Sequence, residues 1–437
     1  MTILKGVLMP GNIIIKNASQ LVTCSGFKAK FGREMADLHI IEDGTVVIRD
    51  GIIQHVGKTE TVLKGLTDIT GGLQDVVQID AGNKAVLPGF IDSHTHFVFG
   101  GYRADEFCRR LRGESYIDIL KRGGGILSTV DATRKASLES LIRTGQKRLN
   151  TMLEFGITTV EGKSGYGLDK DTEIKQLEAM ASLDNLHPVD IVTTFLGAHA
   201  IPVDYRSKSD DFIRFLIDMV MPEVAERKLA EFCDVFCEKN VFSVKQSKTL
   251  LTHAREMGFK LKIHADEMTQ LGGAELAASL KAVSADHLLC ASDRGIKMMA
   301  EAGVMATLLP ATAFCLKEPY AKGRQVIDRG SAVALATDLN PGSAFSGSIP
   351  LTIALAAIQM NMTPEEAITA FTINAAAALD RAKEIGSIDV GKKGDLVILE
   401  YPSYQFIPYH TGVSCVEKVI KNGQLIFDKD RETCFQT

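Results

Sequence analysis

The sequence predicts an α/β fold: a parallel (β/α)8 barrel of the TIM type, joined to a second, small β-sandwich domain built from both chain termini. Three observations lead there. Short β-rich segments alternate with helical ones through the middle of the 437 residues. The two ends each carry a hairpin signature. The unusual polar residues gather at one end of the β segments.

Eight segments make up the alternation: VLPGFID (86–92), ITTVEG (157–162), DIVTTFLGA (190–198), CDVFCE (233–238), KLKIHA (260–265), AVSADHL (282–288), VMATLLP (304–310) and AVALATD (332–338). Stretches such as SLESLIRTGQKRLNTMLEF (137–155) and KQSKTLLTHAREMG (245–258) have the 3.6-residue apolar period of helices. Thr363-Pro364-Glu365-Glu366 reads as a capping box with proline at the first helical position. Eight strands with helical crossovers favour a closed barrel over an open doubly wound sheet.

At the ends, TVVIRDGIIQHVG (45–57) and EKVIKNGQLIFD (417–428) place β-branched residues around Asp50-Gly51 and Asn422-Gly423. Asp-Gly and Asn-Gly supply the positive φ angles that a two-residue hairpin needs. GDLVILE (394–400) adds a strand. The expected division is residues 1–85 and 381–437 for the small β domain and 86–380 for the barrel.

The bulk numbers exclude several classes. With 45% hydrophobic residues the chain can bury a large core, and a net charge of −5 without a basic run argues against nucleic-acid binding. No apolar stretch is long enough for a bilayer. The N-terminal MTILKGVLMPGNIII is interrupted by Lys5, Pro10 and Gly11 and has no convincing cleavage site. Eight scattered cysteines without a CxxC pair fit a reducing, cytoplasmic setting. Glycine-rich residues 102–135 form a long connection of the kind that usually serves function. Gly123-Gly124-Gly125 lacks a Walker lysine and a preceding strand, so it reads as a mobile loop rather than a phosphate cradle.

His94 and His96, in IDSHTHFVFGG (91–101), follow the first barrel segment two residues apart and so share a face. Tyr166 follows the second, His199 the third, and His264 and Glu267 the fifth. His287 ends the sixth, and Asp338 and Asn340 end the eighth. All lie at C-terminal strand ends, where barrel enzymes build their active sites. His39, His55, His187, His253 and His410 lie elsewhere and read as structural. Three imidazoles with one carboxylate suit Zn²⁺, and iron (Fe³⁺) suits the same set. Such an ion lowers the pKa of a bound water to about 7 and polarises a carbonyl. Asp338, Glu267 and His287 are the groups available to move protons when a C–N bond is hydrolysed.

PGFIDSHTH, HADE, SADHL and TDLNPGS resemble the amidohydrolase superfamily. The run YRADEFCRRLRGESYIDILKRGGGILSTVDATRKAS, with VEGKSGYGLD and FLGAHAIP, is similar to the imidazolonepropionase family of histidine degradation. The resemblance covers nearly the whole chain. It implies hydrolysis of 4-imidazolone-5-propanoate to N-formimidoyl-L-glutamate in the cytoplasm, by a homodimer with one metal ion per subunit. It also implies His94, His96, His264 and Asp338 as metal ligands, and Arg103 and Tyr166 as holders of the substrate carboxylate. His199, Glu267, Asn340, Gly342 and Ser343 would line the pocket, with Glu267 and His287 handling protons. Lys163 lies near the place where related barrels carry a carboxylated lysine between two metals, and reads as structural, or as a support behind the ligands, in a single-metal enzyme. A deaminase of guanine, cytosine or another heterocycle on the same scaffold is the alternative. A non-catalytic scaffold is disfavoured, because every ligand is present.

Overall fold

The structure, a computed structural model, describes residues 11–67, 76–114 and 124–430. The chain begins in a mostly antiparallel sheet with β1 (Ile13–Val22), β2 (Ile40–Arg49), β3 (Ile52–Lys58), β4 (Val77–Asp80) and β5 (Val86–Pro88). The barrel strands follow: β6 (Phe90–Asp92), β7 (Ile157–Lys163), β8 (Asp190–Ala198), β9 (Phe232–Cys237), β10 (Lys260–Ala265), β11 (Ser284–His287), β12 (Met305–Leu308) and β13 (Val333–Leu335). The chain then returns to the first sheet as β14 (Leu396–Leu399), β15 (Val416–Lys421) and β16 (Gln424–Asp428).

Strands β6 to β13 pair in sequence order, each parallel to the next. Every residue of β7 is buried, as a parallel strand covered on both faces requires. At the seam, Asp92 accepts hydrogen bonds from the Thr337 N–H (3.0 Å) and hydroxyl (2.5 Å). Just beyond, Asp338 N donates to His94 O (3.1 Å) and His96 N to Leu339 O (2.9 Å). The closing contacts therefore run through the residues singled out in the sequence.

The segment 86–92 divides between the two sheets. Val86–Pro88 pairs with β1 and β14, whereas Phe90–Asp92 pairs with β7. Gly89 marks the step: its N–H donates to Asp395 O (2.9 Å), and a Cβ there would collide with the Thr158 side chain.

The terminal sheet runs β16-β15-β14-β5-β1-β2-β3, with β4 beside β1. Ile53 of β3 and Ile420 of β15, from opposite ends of that order, share one apolar core with Ile13, Ile15, Val46 and Leu396. The sheet thus folds over on itself. Ile14, on the opposite face of β1, packs with Val47, Val62 and Leu66 under the helix Thr59–Thr67. Both predicted hairpin turns form, with positive φ at Asp50, Gly51, Asn422 and Gly423. The turns also meet, since Gly11 N donates to Asn422 O (3.0 Å) and Gly51 N to Gly11 O (3.1 Å).

Among its described residues, the long connection holds the helices Ala104–Leu111 and Ile126–Lys135. Gly123 and the rest of 115–123 lie outside the described residues. Gly125, read as part of a mobile loop, is instead pinned by a hydrogen bond from its N–H to Glu106 Oε2 (2.8 Å). Thr363 caps the helix Pro364–Phe371 in the expected capping box. The seven described cysteines are free thiols. Among the described residues, no helix is long and apolar enough to cross a membrane.

Candidate metal centre and active site

The three histidines His94, His96 and His264 converge at the C-terminal mouth of the barrel, with one ring nitrogen of each lying within 4.8 Å of the others. Asp338 Oδ1 stands 3.7 Å from both His94 Nε2 and His96 Nε2. Its other oxygen accepts from the Thr312 hydroxyl (2.6 Å), which fixes the carboxylate plane. Asp338 has positive φ, so the chain turns there as it leaves the barrel.

All three rings are buried, and burial holds each imidazole far below its ordinary pKa, with the nearby Lys163 charge adding to the effect. They are therefore neutral, as a metal ligand must be. His94 Nδ1 contacts Asp286 Oδ2 at 2.6 Å, so that nitrogen carries the proton and leaves Nε2 with its lone pair. His94 Nε2 and His264 Nε2 are buried without any hydrogen-bond partner. A native interior rarely leaves such atoms orphaned, and a cation would satisfy them together. The donor set fits one metal ion.

Further groups ring this cluster. The His287 ring lies 5.1 Å from that of His264 and 5.4 Å from that of His94. Its Nδ1 is 3.6 Å from Glu267 Oε1. Burial pushes Glu267 up to about 8, helped by Asp338, and pulls His287 down to about 4. His199 stacks on His96 at 4.9 Å, nearly parallel, with Nδ1 3.1 Å from Gly165 O. The Tyr166 ring is 5.3 Å from His199 and 5.8 Å from His96. Glu173 anchors the SGYG loop by accepting from the N–H groups of Gly165, Gly167 and Leu168 (2.8–3.0 Å).

Arg103 and the loop after β13 meet from opposite sides. Arg103 Nε donates to Glu106 Oε2 (2.8 Å), and its Nη2 pairs with the other oxygen of the same carboxylate. A Cβ on Gly342 would overlap the Arg103 guanidinium, so a larger residue there would displace that side chain. Asn340 Oδ1 accepts from Gly342 N and Ser343 N (2.8 Å each), while its Nδ2 donates to Ser343 Oγ and Asp338 O (2.7 Å each). The Asn340 amide therefore shapes this loop. His187, read as structural, contacts Asn150 Oδ1 through Nε2 at 3.0 Å.

Sequence reasoning overlooked the carboxylates that hold the histidines. Asp286 Oδ2 meets His94 Nδ1 at 2.6 Å, and Asp234 holds His264 through the backbone N–H (3.1 Å to Oδ1), with Oδ2 2.9 Å from His264 Nδ1. Thr312 and Glu106 were missed as well. Asp234 did leave a signal, as a lone charge inside the apolar FCDVFC strand.

Residues 85–426 match the amidohydrolase family. The chain is 60% identical over 419 residues to an imidazolonepropionase of Clostridium tetani, covering 96% of this chain and 99% of that one. It is 58% identical over 413 residues to an imidazolonepropionase of Parabacteroides distasonis, covering 94% and 98%. Among solved structures, an adenosine deaminase from Xanthomonas campestris with bound zinc aligns with TM-score 0.70 at 15% identity over 98% of this chain and 95% of that one. Escherichia coli guanine deaminase aligns with TM-score 0.67 at 15% identity, covering 95% and 99%. At that identity the structural likeness speaks for the fold alone.

Proposed function

The chain belongs to the amidohydrolase family, among its imidazolonepropionases, and from that membership we infer that it hydrolyses 4-imidazolone-5-propanoate to N-formimidoyl-L-glutamate in histidine degradation. The near-full-length identity to imidazolonepropionases carries this reading, and the neutral, orphaned imidazoles beside Asp338 support metal-dependent hydrolysis.

His94, His96, His264 and Asp338 would hold one Zn²⁺, with Fe³⁺ as the competing ion. When bound, the ion supplies Lewis acidity toward the ring carbonyl and makes water nucleophilic at neutral pH. Glu267 and His287 are the titratable neighbours left over from ligation, and we assign the protons to them. One takes the proton from water, and the pair returns it to the ring nitrogen as the amide bond breaks. Arg103, held by Glu106 through Nε and Nη2, offers the propionate carboxylate its remaining Nη hydrogens, and Tyr166 donates a further hydrogen bond. His199, Asn340, Gly342 and Ser343 border the heterocycle, with the Asn340 turn setting the distance to Arg103. The protein acts as a cytoplasmic homodimer on a small molecule, without nucleic acid or membrane.

The test is ultraviolet loss of the imidazolone, coupled to metal analysis and an ammonia assay. Ring opening without ammonia is expected, and stoichiometric ammonia from guanine or cytosine would establish the deaminase instead. Arg103→Ala should lower kcat/KM mainly through KM, by about 2–5 kcal/mol for a truncated buried charge contact. An unchanged KM would remove Arg103 from the site.

A further inference from the structure

Besides Asp92 at the seam, five charged side chains with no solvent exposure are packed among the described barrel strands beside the histidines: Glu161 and Lys163 on β7, Asp234 on β9, Lys262 on β10 and Asp286 on β11. Such groups rarely sit inside a protein unless they are paired. Lys163 Nζ lies 2.8 Å from Asp234 Oδ2, 3.0 Å from Glu161 Oε1 and 3.5 Å from Asp286 Oδ2. Two of these carboxylates then reach ligand residues: Asp286 Oδ2 hydrogen-bonds His94 Nδ1 (2.6 Å), while Asp234 Oδ1 accepts from the His264 backbone N–H (3.1 Å) and its Oδ2 lies 2.9 Å from His264 Nδ1. Lys262 is equally buried and pairs with Glu161 Oε1 (3.1 Å) while donating to Ser93 O (3.3 Å), so its charge acts on Asp234 and Asp286 only from beyond contact distance.

The same place has the outline of another metal site. His94, Glu161 and Asp286 present three donor atoms within 4.8 Å of one another. Glu161 Oε2 and Asp286 Oδ1 are buried there without a hydrogen-bond partner. Yet Lys163 Nζ already contacts both carboxylates, so a divalent ion would press against a fixed positive charge. A carboxylated Lys163 would be anionic and would face three carboxylates at these distances.

Resting on the single-metal reading above, we propose that Lys163 is a positioning residue whose ammonium stands where a second metal ion would sit and braces Asp286 and Asp234 against His94 and His264. Truncating supports of this kind weakens metal binding by about 10–100-fold. Lys163 acts through carboxylates and imidazoles and touches no reacting atom.

Zinc binding by the full chain tests this, using competition with a chromogenic chelator and metal content after dialysis. Wild type should hold one equivalent. Lys163→Met, which keeps the length and drops the charge, should bind zinc about 10–100-fold more weakly. Lys262→Met should weaken zinc binding clearly less than Lys163→Met, because Lys262 contacts neither Asp286 nor Asp234 directly. Lys163→Ala, which empties the space, should take up a second equivalent at high zinc. Wild-type affinity in Lys163→Met, or equal losses in both lysine-to-methionine variants, would overturn the proposal. Should Lys163→Met fail to fold, Asp286→Asn decides: the same weakening supports the brace and unchanged affinity refutes it. A wild-type chain that takes up no divalent ion would remove the metal reading, and this inference with it.

Discussion

Lys163 in the barrel and Lys392 in the terminal unit are both sealed from solvent, yet they are buried to opposite ends. Around Lys163, burial works against the charge, but Asp234, Glu161 and Asp286 outweigh it and raise the ammonium above its ordinary pKa. Lys392 instead donates to three backbone carbonyls, Gly26 O (2.7 Å), Ala382 O (2.6 Å) and Ile385 O (3.2 Å), with its ammonium 4.9 Å from the Phe27 ring centre. Burial pulls it down to about 8, with Asp389 only partly opposing. One lysine organises charges that reach a reactive centre, and the other clips loops together. A buried lysine therefore carries functional meaning only through what its partners touch next.

The largest expected effect tests the chemical end of this contrast. His264→Ala or Asp338→Ala should abolish imidazolone turnover together with metal content, whereas Lys392→Met should leave both intact in the folded fraction. Parallel metal analysis and rate measurement decide it. Full activity in a metal-free His264→Ala protein would end the contrast.

A third lysine gives the next effect. Lys421 on β15 pairs with Asp190 on barrel strand β8 (2.8 Å) and with Asp395 (2.6 Å), and so ties the terminal sheet to the barrel. Lys421→Met strands two carboxylates and should cost about 3–5 kcal/mol of stability in urea denaturation. Native metal binding should persist wherever the chain remains folded. Loss of metal in folded Lys421→Met would blur the division between the two regions.

The smallest effect concerns pH. Lys392→Met removes hydrogen bonds to carbonyls and should cost about 1–3 kcal/mol at pH 7.5. Because the folded pKa of Lys392 is depressed to about 8 from 10.5, the unfolded chain holds that proton more tightly across this window. Wild-type stability should therefore rise relative to Lys392→Met as pH increases from 8 to 10.5. Lys421 has a raised pKa, so its contribution is complete below 10.5 and is lost only above it. Denaturation of both variants at pH 7.5 and pH 10 checks that the two differences move apart.

Much of the barrel was legible because strand and helix periods alternate, and the histidines because they fall at strand ends. The carboxylates behind them were not, since their partners are remote in sequence: 192 residues separate His94 from Asp286, and 71 separate Lys163 from Asp234. A charge inside an apolar strand announces that a partner exists without naming it. The division of 86–92 between two sheets was hidden as well, because it depends on Gly89 passing close to Thr158. The Arg103–Gly342 approach is likewise a contact between distant loops. Local signals such as the Asp-Gly turn and the Thr363 cap transferred directly, because each is complete within four residues.

The seam of the barrel has a consequence for how the protein matures. Asp92 and Thr337, joined there, are 245 positions apart, among the slowest kinds of contact for a chain to find. A partly folded or still-growing chain owns His94 and His96 but lacks their partners from the fifth and eighth strands, so it offers an ion only a weak two-toothed grip. An ion held by all four residues as proposed would complete its shell only once the ring has closed, so protein prepared without metal should fold yet unfold at a lower urea concentration than metal-loaded protein.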